Sequence, residues 1–333
     1  MATAREESRG SRRVGHVLLR AIATLLMVAI LNFVLFRVIP GDPANMLLGG
    51  ARSSVTAEQI ERQRQNWGLD KPIIPDQLVK YIVTTFKGDL GYSFKFRGKR
   101  VAELIVERLP ATIALVGIAQ VIAVILGVGL GTYAGWRRGG VVDKVATSTS
   151  LALYATPPFW LGMTLVVVFS TTLHWLPGYG AYTPGASSAS VVEWLSDHVR
   201  HLVLPVSAVA LGLIGQYLIV ARAAMSDVIG EDYMITARAK GLTSSQMLLR
   251  HALRNALLPV VTLVTLNLGY VVAGAITVEA VFAWPGIGGL TVQALNARDY
   301  PVLQGIFLLL GASIVVANLV ADLAYGILDP RVR

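Results

Sequence analysis

Long apolar runs separated by polar stretches mark this chain from end to end. Six of them, near 18–38, 111–134, 147–173, 202–221, 257–280 and 302–326, are long enough to cross a hydrocarbon core, which takes roughly 20 helical residues. None holds Lys or Arg at its middle, and the strongly polar interior residues are few: Asn32, Gln120, Gln216, Asn267, Gln304 and Asn318. In lipid every backbone N–H and C=O must be bonded within the protein, and these runs lack the alternation of barrel strands. The pattern predicts an all-α polytopic membrane protein with six transmembrane helices.

Segment 39–110, between the first two runs, is too long for a plain loop and is expected to carry structure of its own. Three helices are predicted there. "TAEQIERQRQNWGLD" pairs Thr56 with Gln59 as a capping box and stops at Gly68. "PDQLVKYIVTTFKGD" opens on Pro75 and Asp76, sets Leu78, Tyr81, Ile82 and Phe86 at helical spacing, and stops at Gly88. "KRVAELIVERLP" is amphipathic and leads into the second run. The segment reads equally as a small cap or as a vestibule that meets a ligand or a delivery protein.

Composition agrees with a lipid environment. Of 333 residues 54% are hydrophobic and 15% charged, where soluble proteins carry about a quarter charged; mean hydropathy is +0.60. The net charge of +9 would suit nucleic acid, but its placement argues for basic inner loops instead. With the N-terminus inside, segments 1–17, 135–146 and 222–256 and the C-terminal tail hold 14 of the 29 Arg and Lys, whereas outer loops 174–201 and 281–301 hold only Arg200 and Arg298. Both termini are therefore expected in the cytoplasm, with 39–110 as an extracytoplasmic helical insertion long enough to translocate regardless of its charge. The division that follows is a tail 1–17, a first span 18–38, the insertion 39–110, a five-helix core 111–326 and a tail 327–333. The first run is followed by "RVIPGDPA", without a small-x-small cleavage pattern, and reads as an uncleaved span.

Candidate chemistry is sparse. With no cysteine, disulfides, zinc–thiolate sites and iron–sulfur clusters are excluded. No G-x-x-x-x-G-K-[ST], H-E-x-x-H or G-x-S-x-G occurs, so no ATP cradle, zinc protease or nucleophile elbow is expected, and no residue is assigned as catalytic. His198 and His201 lack a third ligand, so no metal site is assigned. Of the carboxylates, only Glu279 and Asp322 approach a span, both near its end, and Glu279 adjoins the outer loop, where water is expected to reach it. With neither an ATP site nor an ion relay, transport by this chain would draw its energy from a partner.

The inner loop 222–256 is unlike a simple lipid-resting basic stretch. "EDYMITARAK" predicts a short helix with Glu231 and Asp232 at its positive end and Arg238 and Lys240 at its negative end. Gly241 supplies a left-handed stop, and Thr243, Ser244 or Ser245 can cap a second helix. There Leu249, Leu253, Ala256 and Leu257 are expected to form one stripe, with Arg250 and Arg254 on another face. A helix, a glycine turn and a second helix without Trp or Phe favour a protein docking surface over lipid.

Segment 233–259 resembles the docking loop of ABC-importer permeases, in the branch serving dipeptides, oligopeptides, glutathione and nickel. The likeness covers nearly the whole chain: "LFRVIPGDPANML" (35–47), "GDLGYS" (88–93), "RLPATIAL" (108–115), "TPPFWLGM" (156–163), "VEAVFAWPGIGGL" (278–290), "ARDYPVLQG" (297–305) and "DPRVR" (329–333) follow in family order. The broad importer pattern begins Glu-Ala-Ala; here Ile235, Thr236 and Ala237 stand in those places, and Pro259 lies farther from Gly241 than usual, as in the peptide and nickel branch. The resemblance implies a prokaryotic inner-membrane permease subunit paired with a second homologous permease, two ATPase subunits that bind ATP and Mg2+, and an extracytoplasmic binding protein. It implies coupling to the ATPase through Thr236, Ala237, Arg238, Ala239, Lys240 and Gly241, and no cofactor on this chain. It places a peptide path along faces where Gln120, Gln216, Asn267 and Glu279 could lie, although each such amide is more often an interhelical hydrogen bond. A nickel-chelate or glutathione permease is the alternative within the family, and a stand-alone channel or carrier the alternative outside it.

Overall fold

A computed structural model describes residues 2–38, 73–96, 98–185, 190–273 and 275–328. The predicted first insertion helix, with Thr56, Gln59 and Gly68, and the tail 329–333 lie outside these residues. Among the described residues the chain is helical; a single isolated bridge pairs Tyr92 with Arg100. The helices are α1 (Ala2–Val38), α2 (Leu78–Phe86), α3 (Val101–Trp136), α4 (Val141–Ala155), α5 (Pro158–Leu165), α6 (Val191–Ile229), α7 (Asp232–Ala239), α8 (Leu253–Ala273), α9 (Ile276–Val281), α10 (Ile287–Asn296) and α11 (Tyr300–Leu328). They group into two compact units, residues 1–109 with 290–333, and residues 110–289.

Five described helices are long and apolar enough to span a membrane: Val17–Phe36 within α1, α3, α6, Ser244–Asn267 and Tyr300–Val320. The expected span at 147–173 is not one straight helix. It breaks between α4 and α5, which are bent by 99°. Pro157 and Pro158 supply no amide N–H, and Thr156 is pushed to an extended φ of −83° and ψ of 126°. Counting the bent pair as one span gives six. The expected span 257–280 also shifts: its helix starts upstream at Ser244, ends at Ala273, and α9 follows separately. The predicted third insertion helix and second span are one helix, α3, running through Pro110.

In the unit 110–289, α6 is the central element, packing against α4, α5 and α8. Glycine lets α3 approach it at backbone distance: Gly127, Gly131 and Gly135 form a stripe at helical spacing. A methyl group on Gly131 would fall 2.5 Å from the Leu218 carbonyl oxygen, and one on Gly127 would fall 2.7 Å from Cβ of Tyr217. Such small-residue stripes join helices through dispersion where lipid offers no hydrophobic drive. The stripe is not among the expected elements, although its four-residue spacing is visible in the sequence. Leu115, Ala119, Leu204, Ala208, Phe282 and Trp284 form the apolar centre of the unit.

In the other unit α1 packs along α11. Phe36 meets Tyr300 and Phe307, and Asn32 donates to the Gln304 carbonyl at 3.2 Å and accepts from the Tyr81 hydroxyl at 3.1 Å. On α2 the predicted stripe holds at Leu78, Tyr81 and Ile82, but Phe86 is exposed; Gly88 closes the helix at φ +77° as expected. Asp299 is fully buried: its carboxylate accepts from the Ser93 hydroxyl at 2.5 Å and from the amides of Phe94 and Lys95 at 3.1 and 3.0 Å. Two of the quoted motifs, "GDLGYS" and "ARDYPVLQG", therefore meet in one turn.

Candidate functional site

The segment after α6 folds as a short helix, a glycine turn and a long helix. Glu231 opens α7 in extended conformation, and Asp232 lies in its first turn and Arg238 in its last. The helix closes as a Schellman motif: the Gly241 N–H donates to the Arg238 carbonyl at 3.0 Å and the Leu242 N–H to the Ala237 carbonyl at 3.4 Å. Gly241 adopts φ +75°, where side chains are strained. Thr243 then caps the next helix reciprocally with Gln246.

A methionine-rich cluster locks α7 in place. Met225 of α6, Met234 and Ala237 of α7, and Met247, Ala252 and Ala256 beyond the turn are all buried, with Trp136 and Leu242 packed against them. Asn255 also donates to the Tyr233 hydroxyl at 2.8 Å. Of the expected coupling residues, Thr236, Arg238, Ala239, Lys240 and Gly241 are exposed, whereas Ala237 faces inward. Ile235 is 64% exposed beside them, so the outer face of α7 is apolar and basic together.

The stripe expected from Leu249, Leu253, Ala256 and Leu257 is displaced, because Leu249 is 63% exposed. The helix is π-wound over Met247–Ala252, and this wider turn rotates the register so that Met247, Ala252 and Ala256 face inward. Arg250 and Arg254 are exposed, as expected.

The candidate path residues divide into two groups. Gln120, Gln216 and Asn267, from α3, α6 and α8, come together around Tyr217, which is fully buried. The Tyr217 hydroxyl accepts from the Gln120 side-chain amide and, at 2.9 Å, from that of Asn267, which also donates to Gln216 at 3.2 Å. The amides here tie three helices together. Tyr217 does not stand out in the sequence, because an aromatic residue in an apolar run carries no sign of its partners. Removing its hydroxyl in Tyr217→Phe strands the buried Gln120 donor, at a cost of about 1–3 kcal/mol. The expected result is a lower thermal unfolding midpoint with the chain still membrane-inserted, read by scanning fluorimetry in detergent.

Glu279 bonds none of those three. It is fully buried, which corrects the expectation that water reaches it. One carboxyl oxygen accepts from the Thr112 hydroxyl at 2.8 Å, and the other from the amides of Gly288 and Gly289 at 2.7 and 3.2 Å. Thr112 in turn accepts from the Ile287 amide at 2.8 Å. Together they satisfy the first three amides of α10, which have no partner within their own helix. Glycines in "PGIGG" permit this: a methyl on Gly286 would sit 2.3 Å from the Glu279 carboxyl oxygen. Trp284 bonds the Ala111 carbonyl at 3.0 Å, a second tie between this loop and the start of the second apolar run.

The two histidines have protein partners. His198 stacks on Trp194 and lies 2.8 Å from the Ala181 carbonyl; His201 lies 2.9 Å from the Asp197 carbonyl. Among the described residues no three His, Asp or Glu side chains are gathered as metal ligands would be.

Comparison with known proteins decides what such an element belongs to. The family described as "Binding-protein-dependent transport system inner membrane component" matches residues 127–333, and its N-terminal companion matches residues 12–116. The chain belongs to this family. It is therefore a multi-pass inner-membrane component of a binding-protein-dependent transport system. It is 40% identical over 314 residues to a putative peptide transport system permease protein of Brucella abortus (strain 2308), covering 94% of this chain and 96% of that protein. It is 38% identical over 347 residues to the dipeptide transport system permease protein DppB of Escherichia coli K12, covering 97% of each. A probable peptide ABC transporter permease of Sinorhizobium fredii is 37% identical over 316 residues, covering 95% of this chain and 97% of that protein. As a component of this family the chain works with ATPase and binding-protein partners.

Proposed function

We propose that this permease is one of two homologous membrane subunits of an ATP-driven importer of di- and oligopeptides. Two ATPase subunits, holding ATP and Mg2+, and an extracytoplasmic binding protein complete the assembly. Both termini and the segment 222–256 face the cytoplasm, where the excess of Arg and Lys argues for them. Segment 39–110 then lies outside, on the side of the binding protein. The peptide substrate is favoured by the names of its relatives, which are full-length matches.

The observation that carries the mechanism is α7 itself: a short helix rigidly seated on the methionine cluster with Ile235, Thr236, Arg238 and Lys240 outward. Such a face fits a groove with an apolar floor and acidic rim on an ATPase subunit. When ATP draws the ATPase pair together, a helix held in each groove moves with it, and the attached spans rock between inward- and outward-open states. Gln120, Gln216 and Asn267 brace the helices that line the path between the two permeases, and Glu279 holds the loop at its outer end.

The test is purification of the tagged permease expressed with its neighbouring transporter genes. Co-purification of an ATPase, with hydrolysis stimulated by peptide-loaded binding protein, is the expected result. A stable homomer whose transport ignores ATP would point to a channel or carrier. Stimulation by nickel chelate or glutathione in place of peptide would move the substrate assignment within the family.

A further inference from the structure

Near the end of α6, Arg222 and Asp143 form a paired clamp that the proposed docking role does not by itself require. Asp143, in the first turn of α4, is 3% exposed. Its carboxylate accepts from Arg222 Nε at 2.5 Å and Nη2 at 2.9 Å, from the Gly139 amide at 2.9 Å and from the Thr147 hydroxyl at 3.4 Å. A bidentate, charge-assisted pair of this kind fixes direction as well as distance.

The same stretch of α6 holds two other elements. A methyl on Gly135, at the end of α3, would fall 2.6 Å from the Arg222 carbonyl oxygen and 2.8 Å from Cβ of Met225. Met225 is fully buried in the cluster that seats α7. Residues 222–225 are thus where the ends of α3 and α4, the turn between them and the docking helix all meet. The buried methionine contacts seat α7 on α6, so that α6 moves with it; the contact onward from α6 to α4 is a fork, which cannot slide without breaking.

We infer that Asp143 and Arg222 are positioning residues for transport: they pass the displacement of α7 to α4 and, through the break at Pro157, to α5. This rests on α7 being the ATPase docking element. Without the fork, α7 still docks and ATP is still hydrolysed, but α4 no longer follows.

The experiment uses the whole transporter in proteoliposomes and reads peptide delivered per ATP hydrolysed, alongside the amount of ATPase bound. Asp143→Asn keeps the shape and the Gly139 acceptor while removing the charge; it is expected to lower peptide per ATP by about tenfold with ATPase binding retained. Arg222→Lys keeps the charge but loses the fork, and an intermediate loss of roughly threefold is expected. An unchanged ratio in Asp143→Asn overturns the inference. If Asp143→Asn does not assemble, Arg222→Lys decides: a reduced ratio supports the inference and an unchanged one overturns it. Failure of both to assemble assigns the pair to folding alone and overturns it too. If the wild-type permease binds no ATPase, the docking reading fails first and this inference falls with it.

Discussion

Gly241→Pro is expected to abolish uptake and ATPase association together while leaving the permease in the membrane. Gly241 holds φ +75° and donates its amide to the Arg238 carbonyl. Proline fixes φ near −65° and has no amide, so the turn loses both its conformation and a closing bond. Leu242 would then leave the methionine cluster, and α7 would lose its anchor at the end that carries Arg238 and Lys240. None of the apolar runs is touched, so insertion should persist, measured by membrane fractionation beside pull-down of the ATPase and uptake of labelled peptide. Gly241→Asn is the control. Nothing lies within 4 Å of the added Cβ, and asparagine tolerates the left-handed region, so that variant should retain most activity. Normal uptake in Gly241→Pro would remove α7 from the mechanism.

Gly286→Ala is expected to do comparable damage at the opposite kind of site, where nothing docks and everything is buried. Its methyl group would lie 2.3 Å from the Glu279 carboxyl oxygen and 2.4 Å from the Thr112 hydroxyl. Both groups belong to one buried network, so neither can swing away without orphaning amides at the start of α10. Overpacking of this kind costs about 1–3 kcal/mol, and each buried donor or acceptor it leaves without a partner adds about 1–3 kcal/mol. Glu279→Gln, which keeps an acceptor in place, should cost about 1–3 kcal/mol. The order is the prediction: Gly286→Ala should unfold at a lower temperature than Glu279→Gln, and both below wild type, in detergent-solubilised permease. A wild-type midpoint for Gly286→Ala would show that this loop carries no such network.

Much of the segment proposed to dock is legible in the amino-acid sequence. The glycine stop at Gly241 and the cap at Thr243 are local signals, set by backbone sterics and by side chains three residues away, and both appear where expected. The inward register after Thr243 is not legible there, because six π-wound residues shift a phase that a regular helix would have kept. The break at Pro157 and Pro158 has a local signal too, but the apolar run around it masks the prolines.

The buried polar sites divide differently. Gln120, Gln216, Asn267 and Glu279 stand out in the sequence because polar groups in apolar runs are costly. Their partners do not stand out: Thr112 is 167 residues from Glu279, and Tyr217 is 97 residues from Gln120. Hydrophobic runs, the placement of Arg and Lys and local capping predicted an all-helical membrane chain with a basic helix–glycine–helix segment, because each acts over a few turns of helix; the motifs shared with the family, not these patterns, made it a permease. Which polar groups meet, and hence that Glu279 caps α10 and that Tyr217 joins three helices, was decided only by tertiary packing, since no sequence period records which distant helix lies alongside.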